Sequence, residues 1–237
     1  MTKQKHSEMR PYHHGDLRRA IVTAALEILS ETQSVDFSLR ELARRAGVSH
    51  NAPYKHFAEK TELLGAVSAA GFELLTKRID EQIARNAKPR AQLFLILRTY
   101  IRFGVENPAL YRLMFGGYLS GPDSSRPAIE RAAAEKMREQ LQRAITEGAL
   151  GHSIAITPRN APKIAGAILT CWSLVHGLTL LMVDGLVGPT KISDKLCESL
   201  VQGIMEGLET SIPSLPPGTW VGPLRDTVAF AASATDR

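Results

Sequence analysis

Residues 37–49 have the sequence Phe37-Ser38-Leu39-Arg40-Glu41-Leu42-Ala43-Arg44-Arg45-Ala46-Gly47-Val48-Ser49. Ser38 and Glu41 have the S-x-x-E spacing of a capping box, which predicts a helix over residues 38–46. Gly47 predicts its end, because glycine adopts the left-handed backbone conformation that a residue with a Cβ resists. Ala43 is small enough to lie where two helices cross. The spacing Ala43-x-x-x-Gly47-Val48 is therefore typical of a helix-turn-helix.

The segments on either side of this turn complete a three-helix unit. Apolar residues at helical spacing predict a first helix over residues 16–31. A short third helix is expected within residues 50–57, with two candidates for its N-cap, Ser49 and Asn51. Pro53 fits that helix because the first turn does not use the N–H that proline lacks.

The rest of the chain repeats the i, i+3, i+4 apolar spacing, and strand-like alternation never persists, so the predicted fold is all-α. A long amphipathic helix over residues 59–85 follows the three-helix unit. Further helices are predicted at residues 91–106, 108–115, 128–149, 159–184 and 191–210. Residues 212–237 contain four prolines and little patterned apolar surface, and we interpret them as a Pro-rich tail.

Composition narrows the functional class. The chain has 237 residues, of which 44% are hydrophobic and 22% charged, as in soluble globular proteins. Its two cysteines, Cys171 and Cys197, are too few for a disulfide framework or a multi-cysteine zinc site. No secretion signal follows the polar N-terminus, so the cytoplasm is expected. We predict no metal and no cofactor, since phosphate-binding, dinucleotide and zinc-protease motifs are not found.

One segment allows a different interpretation. Residues 164–183 carry no charge, which meets the length of a membrane span. The segment contains glycines, hydroxyl residues and His176, and no second candidate span accompanies it. We favour a helix buried on all sides, between its own core and a partner subunit.

The basic charge is concentrated at the N-terminal end. Residues 1–57 hold nine Lys/Arg and six Asp/Glu, so they carry +3 of the net +5 of the chain. Five of the seven histidines are also there. Such a segment favours binding to nucleic-acid phosphates, although a solvated basic surface has the same composition.

Several motifs of the chain resemble the TetR family of bacterial transcriptional regulators. The N-terminal likeness spans residues 11–64 and includes the helix-turn-helix, with Pro11-Tyr12-His13-His14-Gly15-Asp16-Leu17-Arg18-Arg19-Ala20 before it and Tyr54-Lys55-His56-Phe57 after it. Two later motifs are similar to the subgroup named for its Trp-His-Gly signature: Asn107-Pro108-Ala109-Leu110-Tyr111-Arg112-Leu113-Met114-Phe115 and Trp172-Ser173-Leu174-Val175-His176-Gly177.

The resemblance implies roles for individual residues in DNA binding. It places the third helix in the major groove, with phosphate contacts from Ser38, Tyr54 and Lys60. Base-edge candidates are His50, Asn51 and Lys55, since lysine reads guanine acceptors and asparagine pairs with adenine. The predicted DNA-binding set is completed by Arg40, Ser49 and His56.

Two neighbouring features qualify that set. Phe57 is assigned to the core, and Pro53 departs from the commoner family pattern within the recognition segment. Arg10, His13 and His14 form either a DNA-contacting arm or a disordered lead-in.

The resemblance also implies an effector site and a dimer. Candidate ligand-binding residues are Phe103, Tyr111, Met114, Trp172 and His176, with simple core packing as the alternative. The last two helices of each subunit would form a four-helix bundle, placing the two reading helices ~34–36 Å apart or at a multiple of that distance.

The predicted organisation is a basic arm and DNA-binding domain (1–57), a ligand-binding and dimerisation domain (58–211) and the tail (212–237). The predicted function is a homodimeric repressor released from a palindromic operator by a small molecule. A TetR-like activator, and a helical-bundle enzyme or carrier without specific DNA binding, are the alternatives.

Overall fold

The computed structural model describes residues 14–83, 88–116, 127–148, 161–187 and 194–210. These residues form nine α-helices and no strand, which confirms the predicted all-α class. In chain order the helices are α1 (His14–Thr32), α2 (Leu39–Arg45), α3 (Ala52–His56), α4 (Lys60–Gln82), α5 (Pro89–Glu106), α6 (Pro108–Phe115), α7 (Ala128–Gly148), α8 (Ala161–Val183) and α9 (Asp194–Thr210).

The observed helix ends agree with the predicted ones to within a few residues. The main difference is α4, which ends at Gln82 because the Ile83 backbone turns to an extended conformation. Its predicted end at Arg85 lies outside the described residues. The predicted starts of the last two helices, at residues 159 and 191, also lie outside them, as does the tail, residues 212–237.

The N-terminal helices share one core with the beginning of α4. Ile21 and Leu29 from α1, Leu42 from α2, Phe57 and Leu63 are each 1% exposed or less. Burying a side chain of this size stabilises the fold by about 1.5–3 kcal/mol. The first turns of α4 therefore belong structurally to the helix-turn-helix unit.

The C-terminal body is arranged around α5, which packs against α4, α6, α7, α8 and α9. Asn107 is both the C-cap residue of α5 and the N-cap residue of α6. Its Nδ2 donates to the Phe103 carbonyl at 2.9 Å. The Tyr111 N–H in turn donates to the Asn107 carbonyl at 2.8 Å. Because Pro108 cannot continue the preceding helix, the chain turns here and directs α6 back across α5.

α8 is, among the described helices, the one whose length and composition fit a membrane span. Its inner face is fully buried through Cys171, Val175 and Thr179. α8 approaches α5 so closely that a Cβ on Gly104 would lie 2.2 Å from the Thr179 methyl carbon. The opposite face exposes Leu174 and Leu181 at 46% and 43%. One side of α8 is thus core, and the other is an uncovered apolar surface.

Candidate nucleic-acid interface and buried polar cluster

The turn of the helix-turn-helix is held by backbone and side-chain hydrogen bonds. The Ser38 Oγ accepts from the Glu41 N–H at 3.1 Å, which confirms half of the predicted capping box. The Glu41 carboxylate accepts from Arg44 at 2.8 Å instead of closing the box, and this bond lowers the pKa of Glu41. Gly47 has φ +66, as predicted, and the Val48 N–H closes the turn on the Ala43 carbonyl at 3.0 Å.

Part of the basic charge near the turn is used within the protein. Arg45 donates to Glu31 at 2.6 Å and so links α2 to α1, and the hydrogen bond raises the pKa of Arg45. The Arg18 guanidinium lies 4.7 Å from the centre of the Phe57 ring. The basic side chains that the structure describes between residues 17 and 57 are therefore a mixture of structural and solvent-facing cations.

The third helix, α3, has one anchored face and one exposed face. Ala52, Pro53 and Phe57 are buried, which confirms the core assignment of Phe57. Tyr54 is 58% exposed, and Lys55 is exposed beside it. The N-cap position is Asn51, and its side chain makes no capping hydrogen bond. A short helix fixed by its buried face and free on the other has the form that groove recognition needs.

The predicted DNA-binding residues are mostly at the surface. Those classed as exposed are Ser38, Arg40, Ser49, His50, Asn51, Tyr54, Lys55 and Lys60. His56 is half-buried. The Lys60 ammonium lies 5.4 Å from the centre of the Phe37 ring, which positions it at the start of α4. Their individual contacts with DNA stay predictions, and Arg10 and His13 lie outside the described residues.

Three of the predicted ligand-binding residues meet in a buried polar cluster between α5, α6 and α8. His176 Nδ1 lies 2.6 Å from the Tyr111 hydroxyl and 3.0 Å from the Tyr100 hydroxyl, and the two hydroxyls are 3.0 Å apart. Trp172 stacks on His176 with ring centres 5.2 Å apart. We call Tyr100, Tyr111, Trp172 and His176 the polar cluster.

Burial keeps this cluster uncharged. It lowers the pKa of His176 to about 4 and raises the pKa of both tyrosines. At neutral pH the imidazole is therefore neutral, and one of its nitrogens can accept a hydrogen bond while the other donates. The cluster offers directed hydrogen bonds and aromatic faces without a net charge.

The other two predicted ligand-binding residues, Phe103 and Met114, are fully buried. Phe103 is fully buried, and the Arg78 guanidinium lies 5.5 Å from its ring centre. Met114 packs towards α4, where a Cβ on Gly71 would come 2.6 Å from its sulfur. Tyr100 was missed because only the packing of α5 against α8 brings it to His176.

A surface cleft that the sequence did not predict lies between α4 and α7. Its volume is about 430 Å³, and it is lined by Glu73, Thr76, Lys77, Asp80, Ile129, Ala132, Ala133 and Lys136. Nothing in the helical spacing of either segment indicates that these two helices are neighbours.

Comparison with known proteins agrees with this architecture. Residues 21–67 match the family described as bacterial regulatory proteins, tetR family, and residues 93–204 match the tetracyclin repressor-like C-terminal domain. The chain belongs to the TetR family. It is accordingly a DNA-binding transcription regulator of all-helical fold. The finer likeness to the Trp-His-Gly subgroup stays a prediction.

Alignments with similar proteins and solved structures cover most of the chain. The nucleoid occlusion factor SlmA of Marinobacter nauticus is 26% identical over 148 residues, which are 62% of this chain and 71% of that protein. A solved structure of unknown function from Rhodococcus sp. RHA1 is 27% identical with a TM-score of 0.65, covering 85% of this chain and 100% of that one. A TetR-family regulator from Streptomyces coelicolor is 21% identical with a TM-score of 0.61, covering 94% and 99%.

Cys171 and the groups of His, Cys, Asp and Glu side chains are the residues that bear on the alternative of an enzyme. Cys171 is buried, and burial raises the pKa of its thiol to about 12, so it holds no thiolate at neutral pH. The described residues contain no group of three or more His, Cys, Asp or Glu side chains that could hold a metal ion. A regulatory role is the one that TetR-family membership supports.

Proposed function

We propose that the chain is a cytoplasmic, homodimeric TetR-family repressor that binds a palindromic operator and is released by a small-molecule effector. The observation that carries the proposal is α3. Ala52 and Pro53 of α3 and Phe57 directly after it are buried and fix the helix to the core, while Tyr54 and Lys55 face solvent. In this assignment α3 reads base edges, and residues at the starts of α2 and α4 contact phosphates.

Dimerisation is supported by the uncovered face of α8. Leu174 and Leu181 lie one above the other on this face, and Leu186 and Val187 beyond its end are 72% and 44% exposed. Added Cβ atoms at Gly177 of α8 and Gly203 of α9 would meet nothing within 4 Å. Apolar side chains beside open, small-residue surface are typical of a helix-packing interface. A second copy of the chain would bury this face and would bring two helix-turn-helix units into one dimer.

Effector binding is supported by the polar cluster. Tyr100 and Tyr111 hydrogen-bond His176, whose stacking partner Trp172 is only partly buried. An uncharged group of this kind suits an effector with an aromatic or apolar body and a hydrogen-bonding group. Phe103 and Met114 keep their proposed place in the ligand-binding set. The division at residues 57 and 211 remains part of the proposal.

The experiment is selection of DNA from a random pool by the full chain, followed by footprinting and transcription from the enriched site. We expect a two-fold symmetric sequence and lower transcription when the protein is present. Enrichment of no sequence would contradict operator binding. Higher transcription in the presence of the protein would show that it is an activator and not a repressor.

A further inference from the structure

One ring nitrogen of His176 is held between the hydroxyls of two tyrosines from other helices. The Tyr111 hydroxyl lies 2.6 Å from His176 Nδ1, the Tyr100 hydroxyl lies 3.0 Å from it, and the two hydroxyls are 3.0 Å apart. Tyr100 and Tyr111 are 2% and 0% exposed, so their hydroxyl hydrogens need acceptors within the protein. The three polar atoms form a closed triangle.

The number of hydrogens in this triangle indicates the tautomer of the imidazole. Because burial lowers the pKa of His176 to about 4, the ring carries one N–H at neutral pH. With Nδ1 unprotonated, each of the two hydroxyl hydrogens has an acceptor within the triangle. A hydrogen on Nδ1 would remove that acceptor and leave one hydroxyl hydrogen without a partner there.

The surroundings of Tyr111 favour the same assignment. The hydroxyl of Thr179, which also interacts with Tyr111, already donates to the Val175 carbonyl at 2.6 Å. The shortest hydrogen bond of Tyr111 is the one that it shares with His176 Nδ1. A tyrosine hydroxyl that donates to Nδ1 places the imidazole hydrogen on the opposite nitrogen, Nε2.

His176 Nε2 has a different environment from Nδ1. It makes no hydrogen bond to the residues that the structure describes, and it is accessible to solvent. Trp172 is half-buried and stacks on the imidazole with ring centres 5.2 Å apart. Leu169 and Leu180 lie on the same stripe of α8 and are also half-buried. The Nε2–H donor therefore lies among aromatic and aliphatic side chains.

This stripe of α8 carries no charge, since residues 164–183 contain no charged side chain. At the C-terminal end of the helix, Arg112 Nη2 donates to the Asp184 carboxylate and to the Val183 carbonyl, both at 2.8 Å. A carboxylate bound at Nε2 would have no counter-ion on this helix. A neutral carbonyl oxygen accepts the same hydrogen at a lower desolvation cost, and a flat ring beside it gains by stacking on Trp172.

We infer that His176 selects the effector by donating its Nε2–H to a carbonyl oxygen, and that the effector is a flat, uncharged carbonyl compound. The inference rests on the effector site of the proposed function and narrows that site to one class of ligand. Tyr100 and Tyr111 are positioning residues, because they fix the tautomer of His176 through Nδ1.

The tautomer is measured by NMR of the full chain with labelled histidine ring nitrogens, and His176→Gln assigns the signals. At neutral pH we expect the hydrogen on Nε2, and a hydrogen on Nδ1 would overturn the inference. Tyr111→Phe removes the hydroxyl that donates to Nδ1, so a mixture of the two tautomers is expected. Thr99→Val is the control, since it removes a buried hydroxyl beside Tyr100 and should leave the tautomer unchanged.

Ligand selectivity is measured by titration calorimetry with acetophenone, ethylbenzene and benzoate. These compounds share one aromatic ring and carry a neutral carbonyl, a methylene and a carboxylate next to it. The wild type and Thr99→Val should bind acetophenone about tenfold more tightly than the other two, which is the effect of one hydrogen bond in a desolvated site. His176→Phe keeps a flat ring without an N–H and should bind acetophenone and ethylbenzene alike.

Equal wild-type affinities for acetophenone and ethylbenzene would overturn the inference, as would tighter binding of benzoate or an unchanged preference in His176→Phe. Should His176→Phe fail to fold, Tyr111→Phe decides, because its mixture of tautomers should reduce the preference. Operator affinity is measured with and without acetophenone. Binding with the expected preference but with unchanged operator affinity would support this inference and contradict the effector release of the proposed function.

Discussion

At the scale of single residues, Ser38 and Gly47 set the two ends of α2. Ser38 supplies a side-chain acceptor to the Glu41 N–H, and Gly47 supplies a left-handed backbone. Each satisfies a requirement that the short helix cannot meet by itself, because seven residues leave most of its N–H and carbonyl groups without helical partners.

Ser38→Ala should therefore lower the free energy of unfolding by about 1 kcal/mol, the usual cost of losing an N-cap. Urea denaturation followed by circular dichroism measures it. Ser30→Ala is the matched control, because Ser30 is exposed within α1 and alanine is the better helix former there. An unchanged midpoint for Ser38→Ala would show that the cap adds nothing to stability.

The sequence predicts local features of this kind because their causes are local. The N-cap, the Gly47 turn and the Asn107-Pro108 break all depend on residues within one turn of the chain. The reciprocal half of the capping box was wrong because Arg44, three residues on, competes for the Glu41 carboxylate. The spacing S-x-x-E carries no information about that competitor.

At the scale of elements, the polar cluster depends on how α5, α6 and α8 pack together. Trp172 and His176 are four residues apart on one helix, so their spacing alone places them on the same helix face. The sequence did not predict that Tyr100 belongs to the cluster. Tyr100 lies on another helix, α5, whose segment shows only an ordinary amphipathic pattern. The α4–α7 cleft was missed for the same reason.

The cluster predicts a pH dependence of stability. His176 has a pKa of about 4 in the fold against an ordinary value near 6.5, so the unfolded chain takes up its proton first as the pH falls. Stability should therefore decrease from about pH 6.5 down to about pH 4, and this contribution should be constant above that window.

The measurement is the urea midpoint of the wild type and of His176→Gln at about pH 7 and about pH 5. Glutamine keeps hydrogen-bonding groups and cannot titrate, so the variant should lose less stability between the two values. Equal losses in both proteins would contradict a neutral buried imidazole. Every other titratable group is present in both proteins, so the difference between their two losses of stability reports on His176.

At the scale of the whole molecule, one face of α8 is covered by the subunit itself and the other is not. The inner face is packed against the subunit's own helices, and the outer face has Leu174 and Leu181 exposed. A single short reading helix covers too few base pairs to select one site in a genome, so a dimer is also what the proposed operator recognition requires.

Leu174→Glu and Leu181→Glu are accordingly expected to produce folded monomers, because each places a charge in the proposed interface. Light scattering after gel filtration measures the mass. Ile129→Glu is the matched control, since Ile129 is 44% exposed but lies on α7. Variants that keep the wild-type mass, or a wild type that is monomeric, would rule out this interface.

Whether α3 reads DNA is tested by the affinity of the full chain for its selected operator, measured over a range of salt concentrations. Lys55→Ala and Tyr54→Ala should each weaken binding by about tenfold or more, and Lys55→Ala should also relax the preference for the base pair that Lys55 is proposed to read. Lys136→Ala removes the same charge from α7 and should bind like the wild type. Wild-type affinity in both α3 variants would show that this helix is not the reader.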